Sequence, residues 1–284
     1  METTSARKPG WIRFKIPGGE KYTRVKNIIR ENRLHTVCLE AGCPNIGECF
    51  GCGTATFLIM GNICTRNCLY CAVSQGTPES PDADEPENIA NAVKQLELKY
   101  AVITSVTRDD LTDGGSSVFA KTTNAIRARY PQCRIELLVP DFKSAMETSL
   151  DVIVSSGPHV INHNIEVVSS YYKQLRPAGD YELSLRLLSR AAASGIPAKS
   201  GLMIGFGENV DDIERTFSDL YAAGCRILTV GQYLKSRKNG FPVKKYYTPE
   251  EFTIIGDMAK KIGFDKVMSG PLIRSSYHAA DMSA

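Results

Sequence analysis

Thr56-Phe-Leu-Ile-Met-Gly-Asn-Ile-Cys64-Thr-Arg-Asn-Cys68-Leu-Tyr-Cys71 decides how this chain is read. An apolar run of strand length, Thr56–Met60, ends at Gly61 and leads directly into three cysteines spaced -x3- and -x2-. Upstream lies a second set, Cys38-x4-Cys43-x5-Cys49, followed by Cys52, so that seven of the nine cysteines fall between positions 38 and 71. Gaps of this size let several thiolates from one loop converge on one small object. Thiolates are soft ligands, which favour Zn²⁺, Cu(I) or an iron–sulfur cluster.

Outward from this stretch the chain alternates. Strand-like runs follow near Ala101–Val106, Arg134–Val139, His159–Ile161, Ala198–Ile204 and Arg226–Val230. Helical spacings separate most of them: Ile89, Ala92, Val93 and Leu96; Leu183, Leu187 and Ala191; Ile213, Phe217, Leu220 and Tyr221. Regular alternation of this kind predicts parallel strands with crossover helices, and six units wrap into a barrel or most of one. Polar residues collect just after the strands, at Ser105 to Asp110, Asn162 to Glu166, Gly205 to Glu208 and Gly231-Gln232. In barrels of parallel strands, sites gather at those C-terminal strand ends. Residues 1–53 show little period beyond a helix expected over 22–32, with Trp11, Ile12, Phe14 and Ile16 as an arm packing across a body. Beyond Phe264 the pattern gives way to a tail carrying Arg274-Ser-Ser-Tyr-His278.

Composition narrows the classes. The chain has 284 residues, 43% hydrophobic and 23% charged, with a net charge of +3, the balance of a globular protein. Such mild basicity suits an acidic substrate or protein partner and does not argue for nucleic acid. No apolar run is long enough to span a bilayer, and the N-terminus has no signal core. The expected location is therefore the cytoplasm, where clustered cysteines bind metal or catalyse rather than form disulfides.

Two partitions of the cysteines compete. Cys49-x2-Cys52 and Cys68-x2-Cys71, 15 residues apart, fit a double-knuckle zinc site but leave Cys38, Cys43 and Cys64 unexplained. Two triads, Cys38/Cys43/Cys49 and Cys64/Cys68/Cys71, use six thiols and leave Cys52 as a small buried residue. Cubane clusters take four ligands, so three cysteines leave one iron open for chemistry. Cys64-x3-Cys68-x2-Cys71, with Tyr70 before the last cysteine, resembles the signature of the radical S-adenosylmethionine (SAM) superfamily. The likeness extends through Cys38-Leu-Glu-Ala-Gly-Cys43-Pro-Asn-Ile-Gly-Glu-Cys49, Gly53-Thr-Ala-Thr-Phe57, Val106-Thr-Arg-Asp-Asp-Leu111, Asn162-His-Asn-Ile-Glu166, Ser200-Gly-Leu-Met203, Gly231-Gln-Tyr-Leu234 and Arg274-Ser-Ser-Tyr277. Together these motifs resemble the lipoyl synthase family.

That resemblance implies an α/β fold, a partial (β/α)6 TIM-like barrel over 54–265, with an N-terminal extension (1–53) and a C-terminal tail (266–284). It implies two [4Fe–4S] clusters and SAM as cofactors. Cys64, Cys68 and Cys71 would hold the cluster that binds and cleaves SAM. Cys38, Cys43 and Cys49 would hold an auxiliary cluster that donates sulfur, with a serine of the tail as fourth ligand, Ser276 or alternatively Ser275. The substrate would be an octanoyl-lysine on a lipoyl carrier domain or glycine-cleavage H protein, sulfurated at C6 and C8. Ferredoxin or flavodoxin would supply electrons.

Several residues carry weaker signals. Ser105 and Thr107 suit hydrogen bonds to the methionyl part of SAM, or simply to backbone. Asn162, Asn164 and Glu166 suit its ribose hydroxyls. Arg176 and Lys199 either pair with its carboxylate, Arg bidentately, or are solvated surface charges. Asp109, Asp110 and Asp113 read equally as helix-start capping or catalysis. The glycines of Gly205-Phe-Gly207-Glu208 suggest close backbone approach to adenosine. His163 and His278 read as hydrogen-bonded structural residues, and Arg274 as holding the tail or touching the acyl-lysine. An electron carrier with two clusters and no substrate needs far less protein than six barrel units. A biotin-synthase-like sulfur inserter lacks the N-terminal triad and the Arg274-Ser-Ser-Tyr277 tail.

Overall fold

Apolar spacing turns into helices and strands with small shifts at their ends. The computed structural model describes residues 8–237 and 239–282, which form two compact units. Of the described residues, the first comprises 14–66, 73–162 and 278–282. It opens with α1 (Glu20–Glu31), where Val25, Ile28 and Ile29 share one buried face. Short elements follow: β1 (His35–Thr36), α2 (Val37–Glu40) and α3 (Ile46–Gly51). The Thr36 hydroxyl caps α2 by accepting from Leu39 N. Helices of four and six residues leave no readable period, so this folded segment looked irregular in sequence.

The sheet of this unit takes β2 (Thr56–Ile59), then the small parallel pair β3 (Ile63–Cys64) and β4 (Ser74–Gln75) branches off. Next come α4 (Glu85–Gln95), β5 (Tyr100–Ser105), α5 (Ser116–Arg129), β6 (Arg134–Leu138), α6 (Met146–Ser155) and β7 (Val160–Asn162). β1 pairs antiparallel with β2, and β2, β5, β6 and β7 are parallel in chain order. Register aligns Phe57, Ile103, Leu137 and Ile161 in one row, all fully buried, as strands covered on both faces require.

Of the described residues, the second unit comprises 8–13, 67–72, 163–237 and 239–277. Its elements are α7 (Ser169–Leu175), α8 (Tyr181–Ala193), β8 (Ala198–Ile204), α9 (Val210–Ala222), β9 (Ile227–Gln232), α10 (Pro249–Ile262) and β10 (Lys266–Gly270). β8, β9 and β10 run parallel, with Leu202 opposite Val230 and Val230 opposite Ser269. Thr248 and Glu251 cap α10 reciprocally and Pro249 opens it. β10 corrects the reading of residues beyond 264 as tail: a seventh parallel strand lies there among the described residues. Lys-Val-Met-Ser-Gly is only part-buried along its length, so it carries no strong apolar run.

The N-terminal arm packs only in part. Ile12 is buried and Trp11 Nε1 donates to Tyr247 O at 3.2 Å, but Ile16 is 91% exposed. Residues 1–7 of that arm lie outside the described residues. Cys52 is exposed at the end of α3, where chain geometry turns it outward, and so is not the small buried residue expected. Cys38, Cys133 and Cys225 are the buried ones. Among the described residues no helix is long and apolar enough to cross a membrane.

One glycine of β9 fixes where the C-terminal segment lies. A Cβ on Gly231 would collide with the Ile273 carbonyl and come within 3.0 Å of Arg274 Nη1. Gly231→Ala is therefore expected to lower stability by about 1–3 kcal/mol, the usual cost of overpacking. Urea denaturation measures this, and faster amide exchange at residues 273–277 would localise it.

Candidate active site

The N-terminal cysteines sit on the short helices of the first unit. Cys38 is in α2, Cys49 is in α3, and Cys43 lies in the turn between, its N–H donating to Cys38 O at 3.1 Å. None forms a disulfide. Burial pushes the Cys38 thiol up to about 11, with the charge of Cys43 adding to the effect. Burial likewise pushes Cys49 up to about 12, followed by the charges of Cys38 and Cys43. Free thiolates at Cys38 and Cys49 are thus disfavoured, and a cationic centre would compensate them. Among the described residues no group of three or more His, Cys, Asp or Glu is gathered as the ligands of a single metal ion. The donor set fits an iron–sulfur cluster, whose thiolates bind separate irons.

Cys64 ends β3, and the β3–β4 pair closes a loop over residues 65–73 that carries Cys68, Tyr70 and Cys71. Thr65 anchors its start: both its N–H (3.1 Å) and its hydroxyl (2.9 Å) donate to the Thr107 carbonyl. Arg66 is gripped by two carboxylates. Its Nε and Nη2 donate to Asp109 at 2.8 Å each, and its Nη1 and Nη2 donate to Asp141 at 2.7 and 2.6 Å. Sequence reasoning missed Arg66 and Asp141, and nothing local could have found a pair 75 positions apart. The Asp109 ambiguity resolves as ion pairing, since Lys143 Nζ also lies 2.7 Å away. Asp110 pairs with Arg108, whereas Asp113 does cap α5, accepting from Gly115 N and Ser117 N.

Burial raises the Asp109 carboxyl, but bonds from Arg66 and Lys143 outweigh it and hold its pKa below the ordinary value. A depressed pKa contributes stability that is present above the unfolded value and lost as pH falls through the folded one. Stability of the apo chain should therefore drop as pH falls below about 4. Asp109→Asn should flatten that slope in denaturation midpoints taken across the range.

In the second unit, Leu69 N donates to Leu175 O, Phe241 N to Leu69 O and Arg237 Nη2 to Cys68 O. These bonds fix the tip of the cysteine loop. Tyr70 meets Phe206 edge-on at 6.5 Å, and Phe206 stacks on Tyr233 at 4.2 Å. Burial and the Glu166 charge raise the Tyr70 phenol, opposed by Arg176.

Glu166 is bound to β8 by two backbone bonds, Glu166 N to Gly201 O and Met203 N to Glu166 O, in a left-handed conformation (φ 71°). Such a backbone in a non-glycine residue is uncommon and clusters at functional sites. Burial raises its carboxyl, with Arg176, Asn164 and Arg274 opposing. Glu166, Asn164, Arg176, Arg274 and Tyr70 are thus brought together. Asn164 Nδ2 donates to Ser275 Oγ at 3.1 Å, while Asn164 Oδ1 is buried without a partner. Ser105 Oγ and Asn162 Oδ1, each at the C-terminal end of its strand, are likewise buried and unpartnered. Each of these orphaned atoms is left to bond a polar ligand.

Arg176 and Lys199 are both buried, so neither is a solvated surface charge. Arg176 Nη1 donates to Tyr172 OH at 2.6 Å and to the Asn164 carbonyl at 3.3 Å. Lys199 is the second residue of β8, where its carbonyl accepts from His163 N at 3.0 Å. Gly205 and Gly207 serve packing: a Cβ on Gly205 would meet the Gln232 amide and Lys245 O, and Glu208 turns back to accept from Gly205 N and Phe206 N. His163 N donates to Lys199 O, and His278 contacts Asp281 and Glu48, as structural residues would.

Comparison with known proteins follows the same lines. The model of the radical SAM superfamily matches residues 58–220, and that of the N-terminal domain of lipoyl synthase of the radical SAM family matches residues 1–43. Lipoyl synthase of Nitrosococcus oceani is 51% identical over 284 residues, covering 99% of this chain and 88% of the relative. Lipoyl synthase of Nitrosomonas eutropha is 51% identical over 275 residues, covering 96% and 88%. Among solved structures, Streptococcus suis SuiB bound to S-adenosylmethionine superposes with a TM-score of 0.58 at 10% identity, covering 74% of this chain and 49% of that one. The parallel strands and their helices are accordingly those of a partial TIM-type barrel. With its cysteine spacing, fold and near full-length identity to these relatives, this chain belongs to the lipoyl synthase family of the radical SAM superfamily.

Proposed function

We propose that the chain inserts two sulfur atoms, at C6 and C8, into an octanoyl-lysine carried by a lipoyl carrier domain or glycine-cleavage H protein. The observation carrying this reading is the pair of triads: Cys38, Cys43 and Cys49 on their own short helices, Cys64, Cys68 and Cys71 on a separately anchored loop. Each would hold one [4Fe–4S] cluster. When bound, the cluster of the second triad supplies the electron that cleaves SAM to methionine and a hydrogen-abstracting 5′-deoxyadenosyl radical, and the other supplies sulfur. Ferredoxin or flavodoxin fits the donor role, and the cytoplasm the location.

The chain's own residues then bind and orient. Asn164, through its unpartnered Oδ1, and Glu166 would take the ribose hydroxyls. Ser105 Oγ would take a polar group of the methionyl part. Thr107 instead holds the cysteine loop through its carbonyl, and Arg176 holds the Asn164 backbone. Arg274 contributes positive charge beside Glu166 and carries the tail. The bond from Asn164 occupies the Ser275 hydroxyl, which supports Ser276 as the fourth ligand of the auxiliary cluster. A serine oxygen is harder than a thiolate and a poorer match to that cluster's iron, so it would leave readily during sulfur donation.

Anaerobic reconstitution tests the reading. The chain should take up about eight irons, two four-iron clusters, and form 5′-deoxyadenosine from SAM in the presence of reductant. Stoichiometric zinc uptake with refusal of iron would overturn it.

A further inference from the structure

Asp109, in the motif Val106-Thr-Arg-Asp-Asp-Leu111, and Arg66, inside the cysteine motif, have no task in that function. They meet in one device. The Arg66 guanidinium makes four hydrogen bonds to two carboxylates that arrive from different strand ends, Asp109 after β5 and Asp141 after β6. The Arg66 and Asp141 side chains are 2% and 0% exposed. Lys143 closes the group, donating from its backbone N–H to Asp141 at 3.2 Å and from Nζ to Asp109. Phe142 and Lys143 both take left-handed backbone (φ 53° and 45°) beside Asp141, a conformation non-glycine residues adopt only when the surroundings impose it. Thr65 adds a further tie, its Oγ1 accepting from Asp109 N at 3.1 Å.

What this grip holds still is a backbone amide. Arg66 N–H donates to Cys64 Sγ at 3.4 Å. Hydrogen bonds to ligand sulfurs help set iron–sulfur reduction potentials, because the positive end of the N–H dipole favours the more negative, reduced form. Two cations and two carboxylates leave the device without net charge, so its effect on Cys64 is one of direction and placement. We propose that Arg66, gripped by Asp109 and Asp141, is a positioning residue that keeps its own N–H on the Cys64 sulfur and thereby raises the potential of the cluster Cys64 would ligate. This rests on the reading of Cys64 as a cluster ligand.

The sign of one shift decides it. Potentiometric titration of the reconstituted full-length chain, with and without SAM, identifies the SAM-responsive step; iron is counted alongside. Asp109→Asn removes a negative charge, which acting through space would raise that potential. Release of the grip lowers it instead. The expected result is a more negative potential for Asp109→Asn, and also for Arg66→Lys, which keeps the charge but loses the fork. Loss of four irons from Arg66→Lys, with SAM cleavage gone and the other four retained, supports the same role as its extreme form. A potential raised or unchanged in Asp109→Asn with all iron present overturns the proposal. Absence of any SAM-responsive step in the wild-type chain overturns the cluster reading, and the grip's role with it. Asp141→Asn gives a second carboxylate variant with the same expected sign.

Discussion

Replacing any one of Cys64, Cys68 and Cys71 by Ala is expected to abolish SAM cleavage altogether, because the thiolates through which the sulfonium would receive its electron are lost. Replacing Cys38, Cys43 or Cys49 should leave some cleavage and eliminate sulfur insertion. The two triads sit on different supports, so neither set of changes should empty the other. Ser276→Ala should behave like the second group, less severely where water takes the vacated position. Cys52→Ala should keep both clusters and full activity, and its stability should stay within about 0.5 kcal/mol, as for other exposed positions. The readout is 5′-deoxyadenosine against thiolated peptide for each variant, with iron counted. A Cys38 variant that loses SAM cleavage while holding an intact Cys64 cluster would defeat the division of labour.

The second large effect is on folding. Arg66→Ala leaves Asp141 fully buried with its main cationic partner gone, and should cost about 3–5 kcal/mol, as breaking a buried ion pair does. The exposed pair Arg129–Glu87 is the control: Arg129→Ala should cost about 0–1 kcal/mol. Urea unfolding of the apo chain measures both. A cost for Arg66→Ala as small as the control's would mean that the four bonds around the guanidinium contribute nothing to the fold.

These expectations divide by how far apart in sequence their causes lie. The six strands through Ile227–Gln232 were legible because each is an apolar run bounded by turn residues, and the cysteine triads because their ligands are local. β10 escaped notice since Lys266–Gly270 is only part-buried and needs few apolar residues. α2 and α3 escaped because helices under two turns long show no period. Placement of buried charge was the least legible. The partners of Arg66 lie 43 and 75 positions away, and Asn164 finds Ser275 across 111. Residue type alone suggested that Arg176 and Lys199 were equivalent. Their strand positions separate them, one beside Glu166 and the other at the start of β8. Glycines misled in the opposite direction: Gly205 looked like room for a ligand and is room for Gln232 and Lys245.

Mass spectrometry of an octanoyl-lysine peptide, after anaerobic incubation with the reconstituted chain, SAM and reductant, tests the proposed chemistry most directly. The peptide should gain two sulfur atoms, with two molecules of 5′-deoxyadenosine formed per peptide, one per C–H bond opened. SAM consumed with no sulfur in the peptide, while both clusters are present, would contradict it.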